Sequence, residues 1–252
     1  MLNVRNEEGI ITAEFDHGKV NSITRETLLT LSEVVKQANQ DDAVRGIILT
    51  GAGRTFSGGF DLPMFLGFKT LPEIVEFFNE EEEILIELFM CKKPVVSAIN
   101  GHAIAGGLIL AMASDYRIAK NHPKINLGMS EIKLGLPLSL AQSGVMRFGF
   151  DSDKKFRDMM YFGKMLTVVQ AQEFGIVDEI VEEADLMPRA KKVVSKWIDN
   201  PGRAFTKLKE GLKKPVADRM RQRIAQEDWQ TSLNCFFNKD VRGALEFVMS
   251  MM

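Results

Sequence analysis

Cysteine is nearly absent from this 252-residue chain. The two present, Cys91 and Cys235, lie far apart with no metal-type spacing, which excludes a disulfide framework and argues against a zinc site. Histidine is almost as scarce. None of His17, His102 and His122 stands beside a paired nucleophile in a recognisable setting, so a Ser-His hydrolase fits poorly, and His102 reads as a pocket-lining or hydrogen-bonded residue. No constellation of metal ligands is visible. Excess charge is lacking too: 32 Lys and Arg against 34 Asp and Glu leave a formal net charge of −2, with no global basic field for nucleic acid or anionic membrane. The longest apolar run, around residues 103–113, is too short and glycine-rich to span a bilayer. The polar start (Asn3, Arg5, Glu7, Glu8) does not read as a signal peptide, and the closing Ser-Met-Met is not a Ser-Lys-Leu address. These absences lead us to expect a cytoplasmic protein without membrane or nucleic-acid partners.

What remains is an ordinary globular composition, 45% hydrophobic and 26% charged, in a chain long enough for one sizeable core with a helical appendage. Residues 10–15 alternate weakly and predict a strand. Leu28, Leu31, Val34, Val35 and Ala38 predict an amphipathic helix over residues 24–38. Further strands are expected at 44–49, 95–99, 116–119 and 125–127. Pro72 opens a long helix to about Met90, whose acidic run Glu80–Glu83 reads as a solvated face, and another helix begins near Gly106. This rhythm predicts an α/β core of repeated ββα units. Beyond Phe148 helices are expected at 152–162, 167–175, 185–199, 201–212 and 216–237, the last two broken by Pro215. We therefore divide the chain into a core, residues 1–199, and a helical C-terminal region, residues 200–252. The basic pairs Lys154-Lys155, Lys191-Lys192 and Lys213-Lys214, and Arg219, Arg221 and Arg223, read as solvated helix faces.

Two glycine-rich turns each follow an apolar run: residues 50–62 (Thr50-Gly51-Ala52-Gly53-Arg54-Thr55-Phe56-Ser57-Gly58-Gly59-Phe60-Asp61-Leu62) and residues 100–107 (Asn100-Gly101-His102-Ala103-Ile104-Ala105-Gly106-Gly107). The first does not suit a dinucleotide, because Phe56 replaces the glycine needed for helix packing and the next residues form a loop. Together the two turns could aim two backbone N–H groups at one oxygen atom, as an oxyanion hole does. The pairing resembles the crotonase (enoyl-CoA hydratase/isomerase) superfamily. The likeness continues through Asn21-Ser22, Ser114 to Ala119, Ala171 to Val181 and the tail Asn238 to Phe247, although Arg242 stands where an acid is usual. Asp115 reads as structural, capping or pairing in the core.

The resemblance implies a crotonase-like fold and an acyl-CoA thioester substrate, with coenzyme A as part of the substrate and no other cofactor. It also implies a homotrimer or dimer of trimers, formed through the C-terminal region, and offers one of the basic groups to the coenzyme A phosphates. It assigns the oxyanion donors to the N–H groups of Phe60 and Gly106. Substrate contacts are implied at Val20, Ser22, Gly58, Gly59, Asp61, Leu62, His102, Ile109 and Pro137, with Phe65, Phe68, Phe77 and Phe78 as candidate walls. Hydratases of the family carry two glutamates. The first position is Ile109 here, and an aliphatic side chain cannot activate water. The second, in Met129-Ser130-Glu131-Ile132-Lys133-Leu134-Gly135, is Glu131. Where dienoyl isomerases and dehalogenases place an aspartate, this chain has Ser139. One base and a dry wall are similar to the Δ3,Δ2-enoyl-CoA isomerases. A hydratase or other lyase drawing on Asp61 or Glu73, and a catalytically silent acyl-CoA-binding member, stay open.

Overall fold

The computed structural model describes residues 1–251. In chain order the elements are β1 (Leu2–Glu7), β2 (Ile10–Phe15), α1 (Arg25–Gln40), β3 (Gly46–Gly51), β4 (Thr55–Ser57), α2 (Leu62–Gly67) and α3 (Leu71–Phe89). Then come β5 (Val95–Ile99), β6 (His102–Ile104), α4 (Gly106–Ala113), β7 (Tyr116–Lys120), β8 (Asn126–Gly128), α5 (Leu140–Gly149) and α6 (Asp153–Phe162). The chain finishes with β9 (Met165–Thr167), α7 (Val168–Glu173), β10 (Glu179–Val181), α8 (Leu186–Ile198), α9 (Ala204–Gln226) and α10 (Lys239–Ser250). Short 3-10 turns connect several of them, notably Glu131–Leu134.

A six-stranded sheet, ordered β1-β2-β3-β5-β7-β10, is parallel apart from the β1–β2 hairpin. A smaller sheet, β4-β6-β8-β9, stands beside it. The central strands are apolar on both faces, as buried parallel strands must be. Ile48, Val96 and Ile118 pack under Ala190, Val193 and Val194 of α8. On the opposite face Ile47, Leu49, Val95 and Ile99 join the main core with α1, α3 and α4. The predicted ββα core and helical C-terminal region are both present.

Several local expectations differ from the structure. β1 was not anticipated, because in Leu-Asn-Val-Arg-Asn-Glu only Leu2 is buried and no alternation shows. The short β4 and α2 and the ten-residue α5 were missed as well. Pro215 does not break the chain into two helices: α9 runs through it and a separate 3-10 stretch, Gln230–Phe237, follows. Pro215 and Gly211, whose carbonyl loses its helical donor, are both exposed to water. The buried face Lys209, Lys213, Ala217 and Met220 keeps the helix on the core. Lys213 is therefore not a solvated residue. Its ammonium lies 2.7 Å from Asp115 Oδ1, and Lys209 lies 2.6 Å from Oδ2, which confirms the pairing role of Asp115. The acidic run of α3 is not a solvated face either. Glu81 and Glu82 are 2% and 1% exposed. Among the described residues no helix is long and apolar enough to cross a membrane.

Candidate active site

The two glycine turns meet because the parallel strands β3 and β5 deliver them to the same end of the sheet. Asn100 fastens them: its Oδ1 accepts from Gly51 N at 3.1 Å, and its Nδ2 donates to Gly51 O at 2.7 Å. Asn21, buried, donates to the carbonyls of Ala52 and Thr55. Its own carbonyl accepts from Ser57 Oγ, which in turn accepts from Gly59 N. The loop is rigid before any ligand arrives.

Ile23 N donates to Gly59 O at 2.8 Å, and Asp61 N donates to Ile23 O at 3.0 Å. That parallel bridge turns Phe60's own N–H away from Ile23. Gly59 has φ +100, and a Cβ there would come within 2.9 Å of Ala105 Cβ and 3.2 Å of Gly106 N; only glycine lets the turns approach so closely. A Cβ on Gly106 would meet the Phe60 ring at 3.0 Å. Ala105, the residue before α4, holds φ 54 and ψ −129, a conformation that costs a non-glycine residue roughly 1–3 kcal/mol. Ala105 N is anchored to Gly128 O at 2.9 Å. The strain aims Gly106 N–H, at the positive end of α4, out of the helix. Neither Phe60 N–H nor Gly106 N–H donates to another group of the described residues. The two glycine turns thus meet at Gly59 and Gly106, with the Phe60 ring against Gly106.

The Ala105–Gly128 bond ties the second glycine turn to the strand that leads to Glu131, although the cavity lined by Glu131 includes none of Phe60, Gly106 and Ile109. Glu131 follows Gly128 by three residues, a span of at most about 11 Å, so it stands at the same end of the sheet. It opens the 3-10 turn, and its carbonyl accepts from Leu136 N at 3.0 Å. Although the residue is half-exposed, its Oε2 is buried without a hydrogen-bond partner. The carboxyl faces a cavity of about 340 Å³ walled by Met129, Leu136, Leu138, Phe156 and Met160, with Pro137 at its exposed rim. Burial pushes its pKa up to about 7, opposed only by the backbone N–H groups of Glu131 and Ser130.

The remaining predicted residues divide by position. Ile109 is buried three residues into α4, on the Gly106 face. Val20 O accepts from Gly58 N at 2.7 Å, and Ser22 N donates to His17 O. Leu62 begins α2, which Asp61 caps by accepting from Met64 N at 2.9 Å. Glu73 accepts from Lys69 N on the surface, so both Asp61 and Glu73 are engaged locally. His102 Nδ1 accepts from Asn126 N at 3.2 Å, which makes it a hydrogen-bonded residue. Phe65, Phe77 and Phe78 surround the Phe60 ring, with Phe68 tilted against Phe65 and Phe77 behind them. Ser139 is the N-cap of α5. Of the basic groups, Lys155, Lys191, Lys214, Arg221 and Arg223 sit in surface ion pairs. Arg219 lines a groove between α5 and α9.

Glu81 and Glu82 were not read as buried acids. The signal was available: Ile74, Phe77, Phe78, Leu85 and Leu88 form an apolar stripe on α3, and Glu81 occupies the slot between them.

A family model described as enoyl-CoA hydratase/isomerase matches residues 5–248. Enoyl-CoA delta isomerase 1, mitochondrial, of Rattus norvegicus is 28% identical over 95% of this chain and 86% of its own length. Crotonyl-CoA hydratase of Syntrophomonas wolfei is also 28% identical, over 85% of this chain and 76% of its own length. The crystal structure of human mitochondrial delta3-delta2-enoyl-CoA isomerase superposes with a TM-score of 0.90 at 24% identity, covering 99% of this chain and 97% of that one.

Proposed function

The chain belongs to the enoyl-CoA hydratase/isomerase family, and on that premise we propose that it is a Δ3,Δ2-enoyl-CoA isomerase with Glu131 as its single acid–base group. The observation that carries this reading is Glu131 Oε2, buried and without a hydrogen-bond partner, in a carboxyl that lines a mainly apolar cavity, while Ile109 fills the position that would hold a water-activating acid. Relatives bearing isomerase names support it, and the hydratase relative keeps hydration as the competing reaction to be tested.

In the proposed reaction, Glu131 carboxylate takes a proton from C2 of a 3-enoyl thioester. The electron pair spreads over C2 to C4 and the thioester oxygen, whose negative charge is met by the N–H groups of Phe60 and Gly106. The carboxylic acid then returns the proton at C4, and the double bond comes to rest between C2 and C3. A base with a pKa near 7 suits both halves, since it must accept and release the same proton. Coenzyme A enters as part of the substrate, and the proposal needs no further cofactor. The expected assembly is a homotrimer or dimer of trimers, supported by the exposed Leu208 and Leu212 on α9.

The test is a paired assay of one preparation: isomerisation of 3-hexenoyl-CoA against hydration of crotonyl-CoA. Faster isomerisation supports the reading. Faster hydration overturns it in favour of a hydratase, and a protein that binds acyl-CoA but does neither is a silent member.

A further inference from the structure

Adjoining carboxylates deep in a protein are costly unless something holds them. Glu81 and Glu82 lie side by side on α3 at 2% and 1% exposure, and what holds Glu82 is the start of α5. Its two oxygens accept from Leu140 N at 2.8 Å and Ala141 N at 2.6 Å. These are the two first-turn donors that the helix's own cap leaves over, because Ser139 Oγ already accepts from Gln142 N in a capping box. Glu82 therefore satisfies the two donors that the capping box leaves open, and in doing so ties the start of α5 to α3.

The connections at each end of this contact give it a purpose. On the α5 side the chain passes back through Leu138, Pro137 and Leu136, which line the Glu131 cavity, and Leu136 N holds the carbonyl of Glu131 itself. Ser143, one turn into α5, lines the same cavity. On the α3 side, one turn before Glu82, Phe77 and Phe78 pack on the Phe60 ring at 5.8 and 6.5 Å between centroids. That ring rests against Gly106. One helix therefore touches both the residue offering an oxyanion N–H and the wall behind the base.

We infer that Glu82 is a positioning residue: by clamping the first turn of α5 to α3 it fixes the distance between the Glu131 carboxyl and the paired N–H groups of Phe60 and Gly106. The inference rests on the proposed roles of those three residues. It extends them to a side chain that touches neither substrate nor reacting atoms. The groups facing Glu82 are Glu81 on its own helix, Ser139, the Leu140 and Ala141 N–H groups of α5, and Arg223 of α9, while Gln142 and Ser139 face Glu81. Burial raises the Glu82 carboxyl to about 7, against the opposing pull of the Ala141 and Leu140 N–H groups, Ser139 and Arg223. Burial and the neighbouring Glu82 charge raise Glu81 to about 8. Of the two, Glu81 holds a proton the more firmly, and Glu82 is the carboxyl that the two N–H groups favour in its charged form.

Glu82→Gln tests this, because the amide is isosteric but offers one acceptor oxygen to two donors. We expect kcat for 3-hexenoyl-CoA to fall about tenfold with KM within about twofold, as misplacement of reacting groups requires. The acid limb of the kcat pH profile should change from a slope steeper than one, with Glu131 and Glu82 both taking protons, to a slope of one. Ser139→Ala removes the helix's own cap but leaves the tie to α3, and should lose less than threefold by the same reasoning. Unchanged kcat and slope in Glu82→Gln, or an equal loss in Ser139→Ala, overturns the inference. Exchange of the C2 protons of hexanoyl-CoA into heavy water reads base and N–H groups without a double-bond shift. A wild type that exchanges but does not isomerise refutes the proposed reaction while leaving Glu82 to be judged on the exchange rate. One that does neither overturns both.

Discussion

The rim of the site and the seam behind it are built on opposite terms. At the rim, between the two glycine turns, the proposed reaction rests on main-chain N–H groups, and the small residues there let the backbone approach. At the seam between α3 and α5, one of two buried acids, Glu82, is held by the backbone of a helix start, while Glu81 Oε2 beside it has no hydrogen-bond partner. The rim tolerates variation in the side chain of Phe60 but not an added Cβ on Gly59 or Gly106. The seam, on the proposed role of Glu82, loses its tie when that carboxylate loses its charge. A site can thus be rigid in front through missing atoms and rigid behind through a costly ionisable group.

The sharpest way to break this comparison is to remove the one side chain that works at the rim. Glu131→Gln should lower isomerisation on the order of 10²- to 10⁴-fold, with acyl-CoA affinity unchanged by titration calorimetry. Next comes the backbone: Gly106→Ala forces the Phe60 ring from its 3.0 Å approach and should cost about 10- to 100-fold in kcat, whereas Phe60→Leu should cost about threefold or less because its N–H stays in place. The seam responds to pH through stability. Glu81 keeps its proton to about pH 8 in the folded chain, against an ordinary value of 4.5, so the folded state binds the extra proton between those values. The stabilisation this gives is complete below about pH 4.5 and is lost as pH rises through 8. Glu81→Gln should therefore melt about 5 °C above the wild type at pH 9, and within about 1 °C of it at pH 5. Smallest of all, Ala105→Gly relieves the φ 54 strain and should raise the melting temperature by about 2 °C, where glycine for alanine elsewhere lowers it.

The rim was legible in the sequence because its constraints are local. Gly58-Gly59, Gly106-Gly107 and Asn100 are set by how closely two turns must approach, whereas the donor roles of Phe60 and Gly106 came from the family resemblance. Glu131 was legible through its resemblance and its register after β8. The seam was not, for a physical reason: a run of four acids, Glu80 to Glu83, splits by helical angle. Glu80 and Glu83 reach the surface arginines Arg25 and Arg221, while Glu81 and Glu82 turn inward. Composition alone cannot separate them. The apolar stripe could have, and Ser139-x-x-Gln142 likewise announced the α5 start as a capping box. Continuation of α9 through Pro215 depended on tertiary contacts, Lys209 and Lys213 with Asp115, that no local rule contains.

The central claim is that one sheltered carboxyl carries the same proton from C2 to C4. It is tested most directly with 3-hexenoyl-CoA bearing two deuterium atoms at C2, isomerised in ordinary water and read by mass spectrometry. Transfer by Glu131 within its cavity predicts a product fraction that retains both labels, one at C2 and one at C4. A product that has taken every new C4 hydrogen from water contradicts it.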